Sequence, residues 1–61
     1  MTVKELRKVL DTDAVWLCNH NGSWSKYAEG REMARELDDL AEYEVLFLRP
    51  VSGAVEIWLA I

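Results

Sequence analysis

The chain has 61 residues, 51% of them hydrophobic and 30% charged, with a formal net charge of −4, one cysteine and one histidine. This length allows a single domain, residues 1–61. Folds of this size often depend on a disulfide for stability, and a lone cysteine excludes one within the chain. We therefore expect a partner subunit to supply that stability, so that the protein is a homo-oligomer, most simply a dimer. The acidic balance disfavours a phosphate-neutralising surface for nucleic acid, and the absence of an apolar run of roughly 20 residues or of a signal-peptide core predicts a cytoplasmic protein without membrane contact.

The N-terminus carries the signature of a capped helix. Thr2 can cap the helix and Glu5, three residues later, completes a capping box. An apolar stripe at helical spacing follows, formed by Val3, Leu6, Val9 and Leu10. The polar run at 11–13 ends this helix, because short polar side chains compete for backbone hydrogen bonds.

A hairpin is predicted next. Residues 14–19 read as a strand, Asn21-Gly22 favours a two-residue type I′ turn, and residues 23–27 return. This register places Trp16 opposite Tyr27, an aromatic cross-strand pair.

A second helix is predicted from about residue 29 to about residue 40, because apolar residues recur there at helical spacing. The segment at its C-terminal end is acidic, and residues 28–61 carry eight acidic and three basic side chains in all. We expect these carboxylates to form one negative surface beside the helix. Its predicted protein-binding residues are Glu36, Asp38, Asp39 and Glu42.

Two strands, residues 42–48 and 54–61, are predicted for the C-terminal third. A four-residue loop from Pro50 to Gly53 joins them and pairs Leu48 with Val55. One face of this hairpin suits helix packing. The other is apolar and aromatic, and it is the predicted oligomer interface, consisting of Tyr43, Val45, Phe47 and Trp58. Edge-to-edge pairing through residues 54–61 is the alternative contact.

The elements together predict an α+β fold in the order α-β-β-α-β-β. We expect a mainly antiparallel four-stranded sheet with both helices on one face.

No catalytic motif accompanies these elements, so we expect a non-enzymatic protein without metal or cofactor. Cys18 and His20 are two residues apart, but neighbours on one side of a strand point outward and not at each other, and a nucleophile needs its base within hydrogen-bond reach. Glu36 and Asp39 are helical neighbours that could share a magnesium ion, yet no nucleophile or phosphate-binding loop is present. A further alternative is phosphate mimicry, in which the carboxylates occupy a basic nucleic-acid groove.

The aromatic residues leave a second function open. Six of them could form a base-stacking platform for nucleic acid, with Lys26 and the basic first helix supplying charge. Core packing or a subunit interface is the favoured interpretation, because Trp and Tyr are enriched at interface centres and Lys26 is the single cation among them. The residues are Trp16, Trp24, Tyr27, Tyr43, Phe47 and Trp58.

The chain resembles a loose class of very short proteins in three features. They are the opening Thr-Val-Lys-Glu-Leu helix at 2–6, the early Asn21-Gly22 hairpin and the closing Tyr-Glu-Val…Gly…Val-Glu-Ile hairpin from 43 to 57. These are accessory proteins of bacteriophages, prophages and related mobile elements, often of gut Firmicutes. The resemblance implies a protein-binding module, and some such proteins inhibit CRISPR nucleases. A host defence nuclease is therefore an expected partner, beside the chain itself.

Overall fold

In a computed structural model that describes residues 1–61, two helices and four strands follow one another along the chain. They are α1 (Val3–Arg7), β1 (Ala14–Cys18), β2 (Ser25–Glu29), α2 (Gly30–Asp39), β3 (Val45–Val51) and β4 (Ala54–Leu59). The predicted α+β class is confirmed. No helix has the length and the apolar character needed to cross a membrane.

The predicted capping box of α1 is present. The hydroxyl of Thr2 accepts a hydrogen bond from the backbone N–H of Glu5, and the Glu5 carboxylate accepts one from the backbone N–H of Thr2. The helix ends at Arg7, however, after a single buried face of Val3 and Leu6. Val9 is 71% exposed, so its predicted place in the apolar stripe is wrong.

The sheet is mixed, with the strand order β2-β1-β4-β3. The two hairpins are antiparallel, and they join through a parallel pairing of β1 with β4 at the centre. Because β4 is hydrogen-bonded on both sides, it has no free edge. The predicted alternative contact, edge-to-edge pairing through residues 54–61, is therefore wrong, and β2 and β3 are the edge strands.

The register of the first hairpin is as predicted, with Trp16 opposite Tyr27 and Cys18 opposite Ser25. Its turn differs. A type I′ turn needs positive φ at both central residues, and only Gly22 of the Asn21-Gly22 pair has positive φ. The chain instead closes a turn in which the N–H of Gly22 donates to the carbonyl of Asn19 at 3.2 Å.

The second hairpin is displaced by two residues from its predicted register. Pro50 and Val51 belong to β3, and only Ser52 and Gly53 form the turn, so Leu48 lies opposite Ile57 and not opposite Val55. Proline lacks a backbone N–H, which makes it rare inside a sheet but acceptable on an edge strand. The edge position of β3 explains why the strand continues through Pro50.

A β-bulge interrupts β3 between Val45 and Phe47. Val45 lies opposite Leu59 and Phe47 lies opposite Trp58, so two steps along β3 correspond to one along β4. An extra residue reverses the side-chain alternation. Val45 consequently packs against the core, and its predicted place on the aromatic face is wrong.

Both helices pack on one face of the sheet and enclose the core between the two layers. The α1 residues Val3 and Leu6 and the α2 residue Leu37 meet buried side chains of the three strands β2, β1 and β4. The strand residues of this cluster are Val15, Leu17, Ala28, Ile57 and Leu59. The opposite face of the sheet has no helix over it.

Candidate functional site

The uncovered face of the sheet is the candidate site, and we call it the open face. Side chains alternate between the two faces of a strand. Val15, Leu17 and Ile57 are buried under the helices, so their neighbours along β1 and β4 point away from the helices. The pairing of the four strands then sets them in two rows. The rows are Ser25–Cys18–Trp58–Phe47 and Tyr27–Trp16–Glu56–Arg49.

Two aromatic pairs stand on the open face. Trp16 and Tyr27 have ring centroids 5.2 Å apart at an interplanar angle of 58°. Phe47 and Trp58 are stacked, with centroids 5.1 Å apart and planes 16° from parallel. Three of these four rings are more than a third exposed, although such pairs usually bury their area in a core or an interface.

A charged group lies between the aromatic pairs. The guanidinium of Arg49 donates from Nε to Oε1 of Glu56 at 2.8 Å and from Nη2 to Oε2 at 3.1 Å. The indole Nε1 of Trp58 donates to the same Oε1 at 2.9 Å. Arg49, and then Trp58, lower the pKa of Glu56 from its usual 4.5, while Glu56 raises the pKa of Arg49. The pair is therefore ionised and held in one geometry.

A cavity of about 350 Å³ opens on this face, above the small side chains of Cys18 and Ser25. Trp16 and Trp58 form two of its walls, and Arg49 and Glu56 lie beside them. The loop between β1 and β2 also reaches it at Gly22. A Cβ at Gly22 would lie 2.9 Å from Cη2 of Trp58, so only glycine lets the loop approach the indole this closely.

The four residues of the predicted oligomer interface are not brought together. Phe47 and Trp58 stack on the open face. Val45 is on the core side of the sheet, and Tyr43 precedes β3 and belongs to no strand. Half of the predicted set thus shares one surface, and the open face adds Trp16 and Tyr27 to it.

The predicted acidic surface is divided. Glu36 forms an ion pair with Lys26 of β2, and Asp38 forms one with Arg7 of α1. Glu44 pairs with the N-terminal amine, and Glu56 is across the sheet with Arg49. Among the predicted protein-binding residues, Asp39 and Glu42 remain exposed without an ion pair. Glu36 and Asp38 are thus each neutralised, and Glu56 lies on the opposite face of the sheet, so Asp39 and Glu42 are the unpaired members of the expected surface.

Lys26 does not lie among the aromatic residues. It is opposite Leu17, and both side chains therefore face the helix layer, where Lys26 meets Glu36. Trp24 is in the loop before β2 and belongs to neither aromatic pair. The one cation on the open face is Arg49, and it is already paired.

Cys18 and His20 occupy separate surroundings. Cys18 is buried at the end of β1, and burial, followed by the charge of Glu56, raises the pKa of its thiol. His20 is in the exposed loop, where its Nδ1 lies 2.6 Å from the backbone oxygen of Ile61. A raised thiol pKa is the opposite of what a reactive cysteine needs. No group of three or more metal-ligating side chains is present.

The sequence interpretation missed the Arg49–Glu56 pair and the cavity beside it. Both depend on the parallel pairing of β1 with β4 and on the true register of β3. Side-chain alternation could have shown part of this site, because residues two apart in a strand share one face of the sheet. Trp16 and Cys18 in β1 are two apart, and so are Glu56 and Trp58 in β4.

Comparison of the chain with protein-family models, with curated proteins and with solved structures finds no match. The resemblance to accessory proteins of mobile elements therefore stays a prediction, and the geometry of the open face carries the functional argument.

Proposed function

We propose that this chain is a non-enzymatic protein-binding module whose binding surface is the open face of the sheet, and whose partner there is a second copy of the chain. The observation that carries the proposal is the exposure of two aromatic pairs on a sheet face that no helix covers. Exposed aromatic clusters of this kind are typical of interface centres.

Charge favours a second copy as the occupant. In a dimer with two-fold symmetry, residue i of one copy meets residue j of the other and the reverse contact forms as well. Arg49 and Glu56 are adjacent on the open face and opposite in charge, so the face carries a self-complementary pair of charges on β3 and β4. Two copies can face each other and form the Arg49–Glu56 contact across the interface in both directions.

The area that a dimer needs sets the extent of the contact. A stable interface buries about 800 Å² on each partner, which is about a fifth of this molecule's 3981 Å² of accessible surface. The proposed dimer therefore has to bury most of the open face. A domain this short also gains most from a partner, since it buries only about 60% of its unfolded surface alone.

The proposal depends on the sheet face and not on the acidic residues. Inhibition of a nuclease by phosphate mimicry needs a contiguous row of free carboxylates, and Glu36 and Asp38 are held by separate ion pairs. Binding of nucleic acid needs several cations beside the aromatic rings. Lys26 is on the other side of the sheet, and Arg49, the one cation beside the rings, is paired with Glu56. Neither surface supports its function as well as the open face supports protein contact.

Sedimentation at micromolar concentration tests the proposal. We expect a species of twice the 7.0 kDa chain mass. Phe47→Ala should weaken the dimer by about 2 kcal/mol, or roughly 30-fold, as loss of an aromatic interface residue does. Leu48→Ala is the matched control, because Leu48 is the next residue and is 42% exposed against 49% for Phe47, but it faces the helix side. A 7.0 kDa species at every concentration would refute the proposal.

A charge exchange tests the symmetry. Arg49→Glu places two carboxylates side by side on each open face and should abolish the dimer. The double variant R49E/E56R restores one charge of each sign and should restore it. Equal dimerisation of the wild type and the single variant would show that the open face is not the interface.

The proposed origin in a mobile element is tested by the gene neighbourhood, where genes of phage structure or replication are expected. The proposed contact with a host nuclease is tested by a pull-down with the purified nuclease. Retention that survives neutralisation of Asp39 and Glu42 but is lost with Phe47→Ala would assign that contact to the open face. A mobility shift of single-stranded DNA that weakens steeply with salt would instead favour the nucleic-acid function.

A further inference from the structure

The cavity on the open face has a chemical character of its own, separate from the flat surface around it. Its volume of about 350 Å³ falls at the lower end of the range for small-ligand pockets, about 300–1,000 Å³. Its floor is low because Cys18 and Ser25 are small, whereas their neighbours Trp58 on β4 and Trp16 on β1 are large. The cavity is present in a single copy of the chain.

The walls suit a flat ring. Trp16 precedes Cys18 on β1 and Trp58 lies opposite Cys18 on β4, so the two indoles adjoin the small side chains on two neighbouring sides. Tyr27 packs against Trp16 in a tilted arrangement at 5.2 Å, and Phe47 stacks on Trp58 at 5.1 Å. Gly22 fixes a third side, because the loop comes close enough to the Trp58 indole that a Cβ would be 2.9 Å from it. Rigid aromatic walls favour an aromatic ligand over a flexible aliphatic one.

The accessible polar group beside the cavity is a cation. Glu56 already accepts from Nε and Nη2 of Arg49 and from the indole of Trp58, and its side chain is only 16% exposed. Arg49 is 61% exposed, and its Nη1 donates to neither Glu56 oxygen. The carboxylate is thus satisfied while the guanidinium still has donors to offer, and guanidinium groups bind carboxylates well.

We propose that this cavity binds a small planar aromatic carboxylate. The ring lies over Cys18 and Ser25 and against the two indoles, and the carboxylate accepts hydrogen bonds from the free Nη1 of Arg49. Binding needs no second copy. A ligand there also occupies the surface on which the proposed dimer forms, so it competes with self-association.

Titration by NMR tests this site, with indole-3-acetate as the probe and indole and acetate as its separated halves. Indole-3-acetate should shift the amide signals of Gly22 and Ser25 and the indole N–H of Trp58, and acetate alone should not. Arg49→Gln should weaken indole-3-acetate binding by roughly 10-fold or more, the range of a hydrogen bond to a charged group. Binding of neutral indole should be unchanged in that variant.

Ser25→Leu is the second variant, and it fills the floor of the cavity from an exposed position on an edge strand. It should abolish binding of both indole and indole-3-acetate while the spectrum stays dispersed. No shift with millimolar probe, or equal affinity in wild type and Ser25→Leu, would overturn the proposal.

The outcome is separable from that of the dimer. A chain diluted until it sediments as the 7.0 kDa species leaves the cavity uncovered, so the absence of binding there refutes the ligand site alone. A chain that binds the probe and is a monomer at every concentration refutes self-association alone. If both hold, the probe should shift sedimentation toward the 7.0 kDa species.

Discussion

Gly22 and Gly53 have the same φ of +75° but different surroundings. At Gly22 an added Cβ would lie 2.9 Å from the Trp58 ring, whereas nothing lies within 4 Å of one at Gly53. Both positions carry the backbone cost of a left-handed L residue. Only Gly22 adds a collision with a side chain that is itself held by stacking.

We expect Gly53→Ala to lower the free energy of unfolding by about 1 kcal/mol and Gly22→Ala to lower it by about 2–3 kcal/mol. Urea unfolding followed by tryptophan fluorescence measures both. Equal costs for the two variants would show that the loop does not depend on its approach to Trp58.

Glu56 makes the free energy of unfolding depend on pH. Its pKa is lower in the folded chain than the usual 4.5, chiefly because Arg49 donates to it and then because Trp58 does. A carboxyl group with a lowered folded pKa stabilises the fold above its unfolded pKa, and that contribution is lost as the pH falls through the folded value.

The stability difference between wild type and Glu56→Gln should therefore be full at neutral pH and should shrink as the pH falls below 4.5. Urea midpoints measured from about pH 7 down to about pH 3 test this. Glu42→Gln is the control, since Glu42 is exposed and has no ion pair. A Glu56→Gln difference that stays constant with pH would contradict the expectation.

At the scale of elements, α2 is attached to the sheet through one fully buried residue. Leu37 is the only buried residue of this helix, and it belongs to the central core cluster. Met33 and Leu40 pack against the same cluster but are partly exposed. The helix has no side-chain cap at its N-terminus, so packing and not capping must hold it in place.

Leu37→Ala should accordingly lower the free energy of unfolding by about 2–5 kcal/mol, the range for a buried leucine. In a domain this small that loss is a large share of the total. Val9→Ala is the matched control, with an expected change within about 0.5 kcal/mol because Val9 is largely exposed. Chemical denaturation measures the free energy of unfolding of both variants. A loss for Leu37→Ala as small as that for Val9→Ala would mean that α2 is not held to the sheet by Leu37.

The elements themselves were largely predictable, because each depends on residues close in sequence. The Thr2–Glu5 capping box, the register of the first hairpin and the helical stripe around Leu37 all appear in the structure. The ends of β3 were not predictable from the same patterns. Pro50 marks a turn in most contexts, and only the edge position of β3 allows it to remain in the strand.

At the scale of the whole molecule, the proposed dimer implies that stability depends on protein concentration. A partner that binds only the folded chain stabilises it by mass action. Raising the chain concentration tenfold should therefore raise the urea midpoint of the wild type.

The same increase should leave the midpoint of Phe47→Ala almost unchanged, and Leu48→Ala should behave as the wild type. Circular dichroism at two concentrations measures this. A wild-type midpoint independent of concentration, from the micromolar range upward, would count against self-association.

The sequence by itself determined the α+β class, the number and type of the elements and the residues that face one another in the first hairpin, because capping, periodicity and turn chemistry act over a few residues. It also implied one uncovered apolar sheet face. Only the tertiary structure decided three other features. They are the parallel pairing of β1 with β4, the bulge at Val45–Phe47 and the ion pairs that divide the acidic residues. These features join residues far apart in the chain, and their energies depend on which surfaces meet, which no local pattern encodes.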